Sequence, residues 1–492
     1  MRPINTHKKS FVEFGRFLSL DLTIEGEFSG LTSSSKFLEA GDLFIAPPGK
    51  KVHGASFIEE AIAAGAVAVL TDSEGAAIIG EKLPVISYPN PRAIAADIAS
   101  WFYDRPFSAM ASVGITGTNG KTTTASLLFQ LWQMQHREVG MIGTLGTTIG
   151  ADFYPGTFTT PEGAELQAIA ASMRERSLTH AVMEVSSHAL SQKRVLGSHF
   201  DLVAFTNLTQ DHLDFHGTME SYFAAKSLLF TQEYANRGFI NTDDAWGKKL
   251  YESAQIPVEK VAREDQKADW YYSSIHQVTG GYEVAIRGSG GVLIEGRIPL
   301  VGAHNLDNVL MAVALGVASG LDHLSISRDL ERLVGAPGRL EQVSVGQSFL
   351  ALVDFAHTPD AVTRVLSAVR EITSGRVIAV LGCGGDRDAT KRPLMGDALV
   401  SGSDLAIFTS DNPRSEDPQA ILSAMLDGKE ASDQLVIEVD RRGAIAIAVS
   451  EAVEGDTVII LGKGHELGQE IKGIKHPFED RLELARAIEQ LS

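Results

Sequence analysis

The stretch Gly114-Ile115-Thr116-Gly117-Thr118-Asn119-Gly120-Lys121-Thr122-Thr123 follows an apolar run, ASVGIT (111–116), and leads into an apolar helical one, ASLLFQLW (125–132). Strand, Gly-rich turn, Lys-Thr and helix start together form the context that a phosphate-binding loop requires. Glycines let backbone N–H groups approach phosphate oxygens, and the helix N-terminus adds a favourable dipole. Lys121 would neutralise the terminal phosphates, and the Thr122 hydroxyl would ligate Mg²⁺. The strict G-x-x-x-x-G-K-[ST] pattern wants Gly at 115, where this chain has Ile115. The plain alternative is a chance Gly-rich turn before a helix; the full context favours ATP.

Outward from this loop, the same strand-then-helix rhythm recurs in THAVMEV (179–185), LVAFTNL (202–208) and RGFINTDD (237–244). Apolar strands at this spacing predict a mostly parallel sheet with helices on both faces. Between about 268 and 300, alternation broken by Gly-rich turns predicts antiparallel hairpins. On the N-terminal side, DLFIA (42–46) and GAVAVLT (65–71) alternate with alanine-rich helical pieces, and Pro106 breaks the helix pattern before the loop's strand. After GAPGRLE (335–341) a third α/β block begins, with strands expected at FLALVDF (349–355), RVIAVLG (376–382), LAIFTS (405–410) and DTVIILG (456–462). The expectation is three α/β domains in series: 1–107, 108–336 and 337–492.

At 492 residues, the length fits about three domains. The 43 Lys and Arg against 62 Asp and Glu give a net charge of -19, which argues against nucleic acid or an anionic membrane as main partner. The start MRPINTHKKSFVEFG lacks a signal peptide's apolar core, and no apolar run approaches the ~18–20 residues of a membrane helix. Cys383, the one cysteine, cannot form an intrachain disulfide. A soluble, cytoplasmic protein is expected.

Several loops carry chemistry, each beside a blander reading. Thr159-Thr160-Pro161 reads as a hydroxyl-rich turn. Glu184, at the end of an apolar strand near the loop, is placed to coordinate Mg²⁺ directly or through water, or is a solvated strand-end acid. Asn207 to His216 (NLTQDHLDFH) packs two carboxylates and two imidazoles into a short segment, a density that suggests a metal or catalytic site. Lys226, within YFAAKSLLF (222–230), reads as a snorkelling lysine on an amphipathic helix. Asn305, before an alanine-rich helix, reads as a helix cap. In the third block, Asp411-Asn412-Pro413-Arg414 follows LAIFTS, Arg387 lies upstream, and Gly462-Lys463-Gly464-His465-Glu466 lies near the end. Two arginines and a Glu at strand-end loops could read an amino acid's carboxylate and ammonium together.

The GTNGKTT spelling and the motifs above resemble the Mur ligase family along nearly the whole chain. That resemblance implies an N-terminal α/β UDP-binding domain, a central P-loop parallel-sheet ATPase domain and a C-terminal Rossmann-like α/β domain that binds the amino acid. It implies that Gly117, Thr118, Asn119, Gly120, Lys121, Thr122 and Thr123 hold ATP, with Asn305 at adenine, Arg339 at phosphate and Asp354 at ribose. It implies Mg²⁺ on Thr122, Glu184, His212 and Lys226, the lysine being carbamylated by CO₂. Lys121, Lys226, His212 and Glu184 would be the catalytic set. Thr159, Thr160, Ser186, Gln192 and Arg194 would hold the muramyl peptide. Ser35, with Lys50, Lys51 and Val52, would meet the UDP end, although the family's Asp-Ser-Arg is Ser34-Ser35-Lys36 here. Arg387, Asp411, Asn412, Pro413, Arg414, Gly462 and Glu466 would hold the incoming amino acid; Asp-Asn-Pro-Arg is the family's diaminopimelate spelling. After Glu466 the family continues Asp-Tyr-Gln, whereas this chain has Leu467-Gly468-Gln469.

The implied activity is ATP-dependent amide formation in peptidoglycan precursor synthesis. The D-Glu side-chain carboxylate of UDP-N-acetylmuramoyl-L-Ala-D-Glu becomes an acyl phosphate, which the amine of meso-diaminopimelate attacks. Holding three substrates in line would require the third domain to close on the middle one. The rival readings are the same ligase using L-lysine, ornithine or diaminobutyrate, a folylpolyglutamate synthase-like ligase, and a non-catalytic ATP-binding module. A monomer is expected.

Overall fold

The structure is a computed structural model that describes all residues except Met1, Thr6, His7, Lys50, Lys51, Thr157, Thr279, Glu430 and Ser492. The described residues divide into two compact units. The first holds 1–274, 284–296 and 307–329; the second holds 275–283, 297–306 and 330–492.

In the first unit, Gly30–Thr32, Asp42–Ala46, Ala68–Thr71 and Val85–Ser87 form a four-stranded parallel sheet in chain order. The main sheet centres on Ala111–Thr116, which ends at the phosphate loop. Parallel neighbours flank it: His180–Glu184 and then Val139–Gly143 on one side, Phe200–Phe205, Ala235–Asn241 and Val258–Ala262 on the other. A short antiparallel pair, Gly146–Ile149 and Asp152–Tyr154, closes one edge. Strands Trp270–Val278, Gly281–Gly288 and Val292–Ile298 stand next to one another at the other edge, where the Gly-punctuated alternation predicts hairpins. The expected strands at 42–46 and 111–116 match the observed bounds residue for residue.

The two sheets of this unit share side chains. Helix Pro91–Phe102 packs on helix Gly163–Glu175 so closely that a Cβ at Gly163 would lie 2.4 Å from the Ala96 Cβ. Ala164, Ala168 and Ala171 of the second helix enter the same buried cluster as Leu43, Leu70, Ile98 and Phe102. Small side chains on both faces allow this approach.

In the second unit, Leu350–Asp354, Thr457–Leu461, Val377–Leu381, Leu405–Phe408 and Leu435–Ile437 form a parallel sheet in that spatial order, with Glu341–Gln342 antiparallel at one edge. The last long strand inserts between the first and second. That reversal of strand order gathers Asp354, Gly382, Asp411 and Gly462 at one end of the sheet, where ligands of open α/β sheets bind. Among the described residues no helix is long and apolar enough to cross a membrane.

Beneath these strand ends lies a buried ion pair. Arg441 donates to Asp480 through Nε (2.7 Å) and Nη2 (2.6 Å), and both side chains are fully covered. Arg441 also donates to the Leu461 carbonyl at 2.9 Å, which ties helix Arg441–Glu451 to helix Asp480–Glu489 and to the sheet. Asp480→Ala would leave that guanidinium buried and unpaired, so we expect a loss of ~3–5 kcal/mol in unfolding free energy. The midpoint of urea unfolding reads it. The double change Arg441→Met/Asp480→Leu should recover most of the loss.

Candidate active site

The phosphate loop is shaped by what crowds it. A Cβ on Gly117 (φ 148°) would lie 1.9 Å from Thr206 Oγ1, so only glycine fits between the neighbouring strand ends. Thr206 Oγ1 donates to the Asn119 carbonyl (2.6 Å), and the Asn119 N–H donates to Asn207 Oδ1 (2.9 Å). Thr118 Oγ1 meets the Tyr222 hydroxyl at 3.1 Å. Helix Lys121–Met134 begins directly after Gly120. Lys121 folds back over the loop and donates to the carbonyls of Gly117 and Thr118, both at 2.9 Å.

Glu184 ends the neighbouring strand and is buried. Its Oε2 accepts from Thr122 Oγ1 (2.8 Å) and Thr144 Oγ1 (3.2 Å), and its Oε1 accepts from the Thr144 N–H (2.8 Å). A Cβ on Gly143 would lie 2.2 Å from that Oε1, which explains the glycine there. Thr144 Oγ1 also meets Thr159 Oγ1 at 3.0 Å. Thr160 Oγ1 donates to the Glu184 carbonyl (2.9 Å) and accepts from the Ser186 N–H (3.0 Å). Arg194 donates to the Thr160 carbonyl (3.1 Å) and to Gln192 Oε1 (2.9 Å), and pairs with Glu162 at 3.0 Å. Thus Lys121, Thr122, Thr159, Thr160, Glu184, Ser186, Gln192 and Arg194, distant in sequence, form one connected surface at the carboxyl ends of parallel strands.

Lys226 lies in helix Met219–Ser227 and is 1% exposed, so the snorkelling reading fails. Its Nζ donates to the Gly117 carbonyl at 2.7 Å, the oxygen that Lys121 also uses, and sits 4.7 Å from the Tyr222 ring centre. Burial, reinforced by the charge of Lys121, holds its ammonium well below the ordinary lysine range. His212, in a left-handed conformation (φ 53°) and half exposed, shares a ring cluster with His188 (4.8 Å) and Tyr222 (6.1 Å). Burial, then the neighbouring His212 and His216, pushes His188 down to about 4, so it is a neutral imidazole.

These residues fit Mg²⁺, which takes one or two protein oxygens and completes its octahedron with water and phosphate. Thr122 Oγ1 and Glu184 Oε2 are such a hard-oxygen pair beside the loop. Among the described residues no group of three or more His, Cys, Asp and Glu is arranged to hold a metal.

In the second unit, Asn305 sits inside the first turn of helix Ala303–Ala318 and donates to the Val301 carbonyl (2.8 Å). Asp354 is buried and accepts from the N–H groups of Leu340 (2.7 Å) and Ala356 (2.8 Å), while Arg339 stacks 5.0 Å over Phe355. Arg414, also left-handed (φ 52°), donates to the Gly385 carbonyl (2.7 Å) and lies 3.5 Å from Glu470. Its loop is clamped to that of Arg387: Ser415 Oγ donates to Asp386 (2.6 Å), and Glu416 accepts from the Asp386 N–H (2.6 Å) and Arg392 (2.8 Å). Asn412 donates one of its two amide hydrogens to Glu466 Oε2 at 2.7 Å. Asp411 is buried, Pro413 follows within the same loop, and Gly462 (φ 108°) brings the chain within reach of the Asp411 carboxylate.

At the N-terminal sheet, Ser35 donates to Glu60 (2.7 Å) and Val52 is exposed; Lys50 and Lys51 lie outside the described residues. The sequence assigns no role to Thr144, Tyr222, Glu162 or Lys463. Thr144 and Tyr222 carry no motif of their own. Glu162 directly follows the Thr-Thr-Pro turn, which was the available signal.

Residues 27–103 match the model described as "Mur ligase family, catalytic domain", 115–316 match "Mur ligase middle domain", and 338–464 match "Mur ligase, glutamate ligase domain". A curated protein of Streptomyces avermitilis, named UDP-N-acetylmuramoyl-L-alanyl-D-glutamate--2,6-diaminopimelate ligase, is 44% identical over 95% of this chain and 93% of its own. A solved structure with the same title is 32% identical, with a TM-score of 0.71 over 98% of this chain and 99% of that one. A folylpolyglutamate synthase of Mycobacterium tuberculosis, complexed with ADP and AMPPCP, shares the fold at 18% identity and a TM-score of 0.60, covering 76% of this chain.

Proposed function

The chain belongs to the Mur ligase family, and from that premise we propose that it joins meso-diaminopimelate to the D-Glu side-chain carboxylate of UDP-N-acetylmuramoyl-L-Ala-D-Glu, with ATP, in peptidoglycan precursor synthesis. One observation carries the choice of amino acid: relatives bearing that ligase name align over nearly the full length with a chain that spells Asp411-Asn412-Pro413-Arg414 at a strand end of its third block.

The substrate carboxylate attacks the γ-phosphorus of ATP, giving an acyl phosphate and ADP. The amine then adds to the acyl carbon, and the tetrahedral intermediate loses phosphate to leave the amide. Phosphoryl transfer asks mainly for positioning and charge neutralisation. The N–H groups of Gly117 to Thr123 and the Lys121 ammonium balance phosphate charge. Thr159, Thr160, Ser186, Gln192 and Arg194 orient the D-Glu end. Ser35 and the Lys50-Lys51-Val52 segment take the UDP end. Asn305, Arg339 and Asp354 contact nucleotide. Thr122, Glu184, His212 and a carbamate on Lys226 would hold Mg²⁺, which supplies further neutralisation at phosphate oxygens.

The case for the carbamate is electrostatic. Two lysines share one carbonyl acceptor, and burial, then the Lys121 charge, shifts the covered one towards its neutral amine. A neutral amine adds to CO₂ and releases a proton, which converts a second cation into an anion beside Lys121. We infer functional domains over 1–107, 108–336 and 337–492, and a cytoplasmic monomer, where ATP is available.

Arg414 is the proposed reader of the far carboxylate, by which diaminopimelate differs from lysine. Its Nη2 makes no hydrogen bond among the described residues, while Nη1 is held by Gly385. Pairing with a carboxylate adds about 1.5–3 kcal/mol per charged hydrogen bond, and lysine would leave Nη2 without that partner. We expect wild-type kcat/KM for meso-diaminopimelate to exceed that for L-lysine by several hundredfold or more. Arg414→Ala should collapse that ratio mainly by damaging diaminopimelate use. Equal use of both amines by the wild type would remove Arg414 from this role. For the function as a whole, phosphate release must depend on both the UDP-dipeptide and an amine, compared across diaminopimelate, lysine, ornithine and diaminobutyrate.

A further inference from the structure

One fully buried, hydrogen-bonded cation of the second unit takes no part in the acyl-phosphate chemistry. Lys463 follows Gly462 at the end of strand Thr457–Leu461 and has no solvent exposure. Its ammonium donates to the Gly468 carbonyl (2.8 Å), to Glu466 Oε2 (2.9 Å) and to Asn412 Oδ1 (3.2 Å). Three donors meet three acceptors, so the cation is fully satisfied. Asn412 closes the ring by donating to the same Glu466 Oε2 (2.7 Å), and its Oδ1 also accepts from the Glu470 N–H (2.8 Å). Glu466 Oε2 therefore carries two donors, while Oε1 makes no hydrogen bond among the described residues. One oxygen is anchored and the other is left to face outward.

We propose that Lys463 is a positioning residue for the incoming diamino acid: it locks Glu466 by one oxygen so that the other is presented, ionised, to the substrate ammonium. The inference rests on the reading of Glu466 as an amino-acid contact. A surface glutamate would lose several rotamers on binding an amine; this one has lost them beforehand, so less ordering remains at binding. Charge supports the same role. Burial pushes the Glu466 carboxyl up, but Lys463, Asn412 and His465 together hold it below the ordinary range. The other charges that interact with it are Asp411, itself buried and raised, and Arg441, which is already paired to Asp480. Without Lys463, Asp411 and Glu466 would be left as neighbouring carboxylates, and protonation of Glu466 would remove the anion that an ammonium needs.

Lys463→Met tests this. KM for meso-diaminopimelate should rise 30-fold or more, with KM for ATP and for the UDP-dipeptide within threefold of wild type. The acid limb of kcat/KM for the amine should move to higher pH. Lys463→Gln, which keeps a donor without the charge, should fall between the two. In a Glu466→Gln background, adding Lys463→Met should change KM for the amine by less than threefold, because the lysine acts through the glutamate. That double variant also keeps the test open if Lys463→Met fails to fold, since it removes both buried charges together. An unchanged amine KM in Lys463→Met, an equal rise in all three KM values, or a further large loss in the Glu466→Gln background overturns the proposal. Failure of the underlying reading looks different: wild type would ligate another amine in place of diaminopimelate, and that amine's KM becomes the quantity compared.

Discussion

Lys226→Ala is expected to ligate on the order of a thousandfold more slowly than wild type, and to regain part of that rate when acetate or propionate is added. The lysine is buried, its ammonium is disfavoured, and it shares the Gly117 carbonyl with Lys121. A lysine that stayed cationic there would add a second positive charge to the loop without a carboxylate hydrogen-bonded to it. Its replacement by alanine would then be mild, and small acids would have no effect. A carbamate predicts the reverse: a missing anion whose place a short carboxylate can fill. Steady-state rates across acid concentration distinguish the two, and intact-mass measurement under CO₂ can seek the 44-dalton adduct's signature of roughly one CO₂ per chain. A folded Lys226→Ala protein with near-normal turnover, or one indifferent to every short acid, sinks the assignment.

Lys121→Ala should be the more severe change, with loss on the order of 10³-fold or greater in phosphate release and no rescue by carboxylates. The charge it removes is the one that the loop backbone cannot replace. N–H groups stabilise phosphate oxygens through partial charges, whereas the terminal phosphates carry whole ones. The ammonium donates to the carbonyls of Gly117 and Thr118. Reach along the loop matters as well as charge. Lys121→Arg should recover little, because its planar fork cannot occupy the same space. Circular dichroism and a retained melting temperature establish that the loss is chemical. Near-normal phosphate release by a folded Lys121→Ala protein would falsify the loop assignment.

Much of the fold is legible from the apolar runs. Those at 42–46, 111–116, 179–185, 349–355, 376–382, 405–410 and 456–462 all contain strands, because parallel strands buried on both faces are continuously apolar. Val139–Gly143 escapes that reading since two glycines interrupt it, and Leu435–Ile437 is too short to stand out. The site divides the same way. Lys121, Thr122 and Glu184 sit on strand ends and helix starts, where local pattern reveals position. Lys226 does not: its sequence neighbours suggest a half-exposed helix, and only tertiary packing shows that it is covered. Asn305 reads as a helix cap yet lies within the first turn. Thr144 and Lys463 act through partners 40 residues away and through a ring of three acceptors respectively. No local pattern encodes such pairings.

The contact of Gly163 with Ala96 bears on how this enzyme can be inherited. The N-terminal sheet and the phosphate-loop sheet follow one another along the chain, which invites the view that evolution or an engineer could exchange one for a relative's. The helices joining them share one core, and there is no room for even a methyl group at position 163. A crossover near residue 107 would separate two surfaces fitted to each other, leaving each parent's alanine face against the wrong counterpart. Hybrids should therefore survive mainly when the segments around 91–102 and 163–175 travel together, and first substitutions at either position should be tolerated only alongside a compensating one opposite. The selectable unit of recombination here is the helix pair, rather than the stretch of chain that carries one sheet.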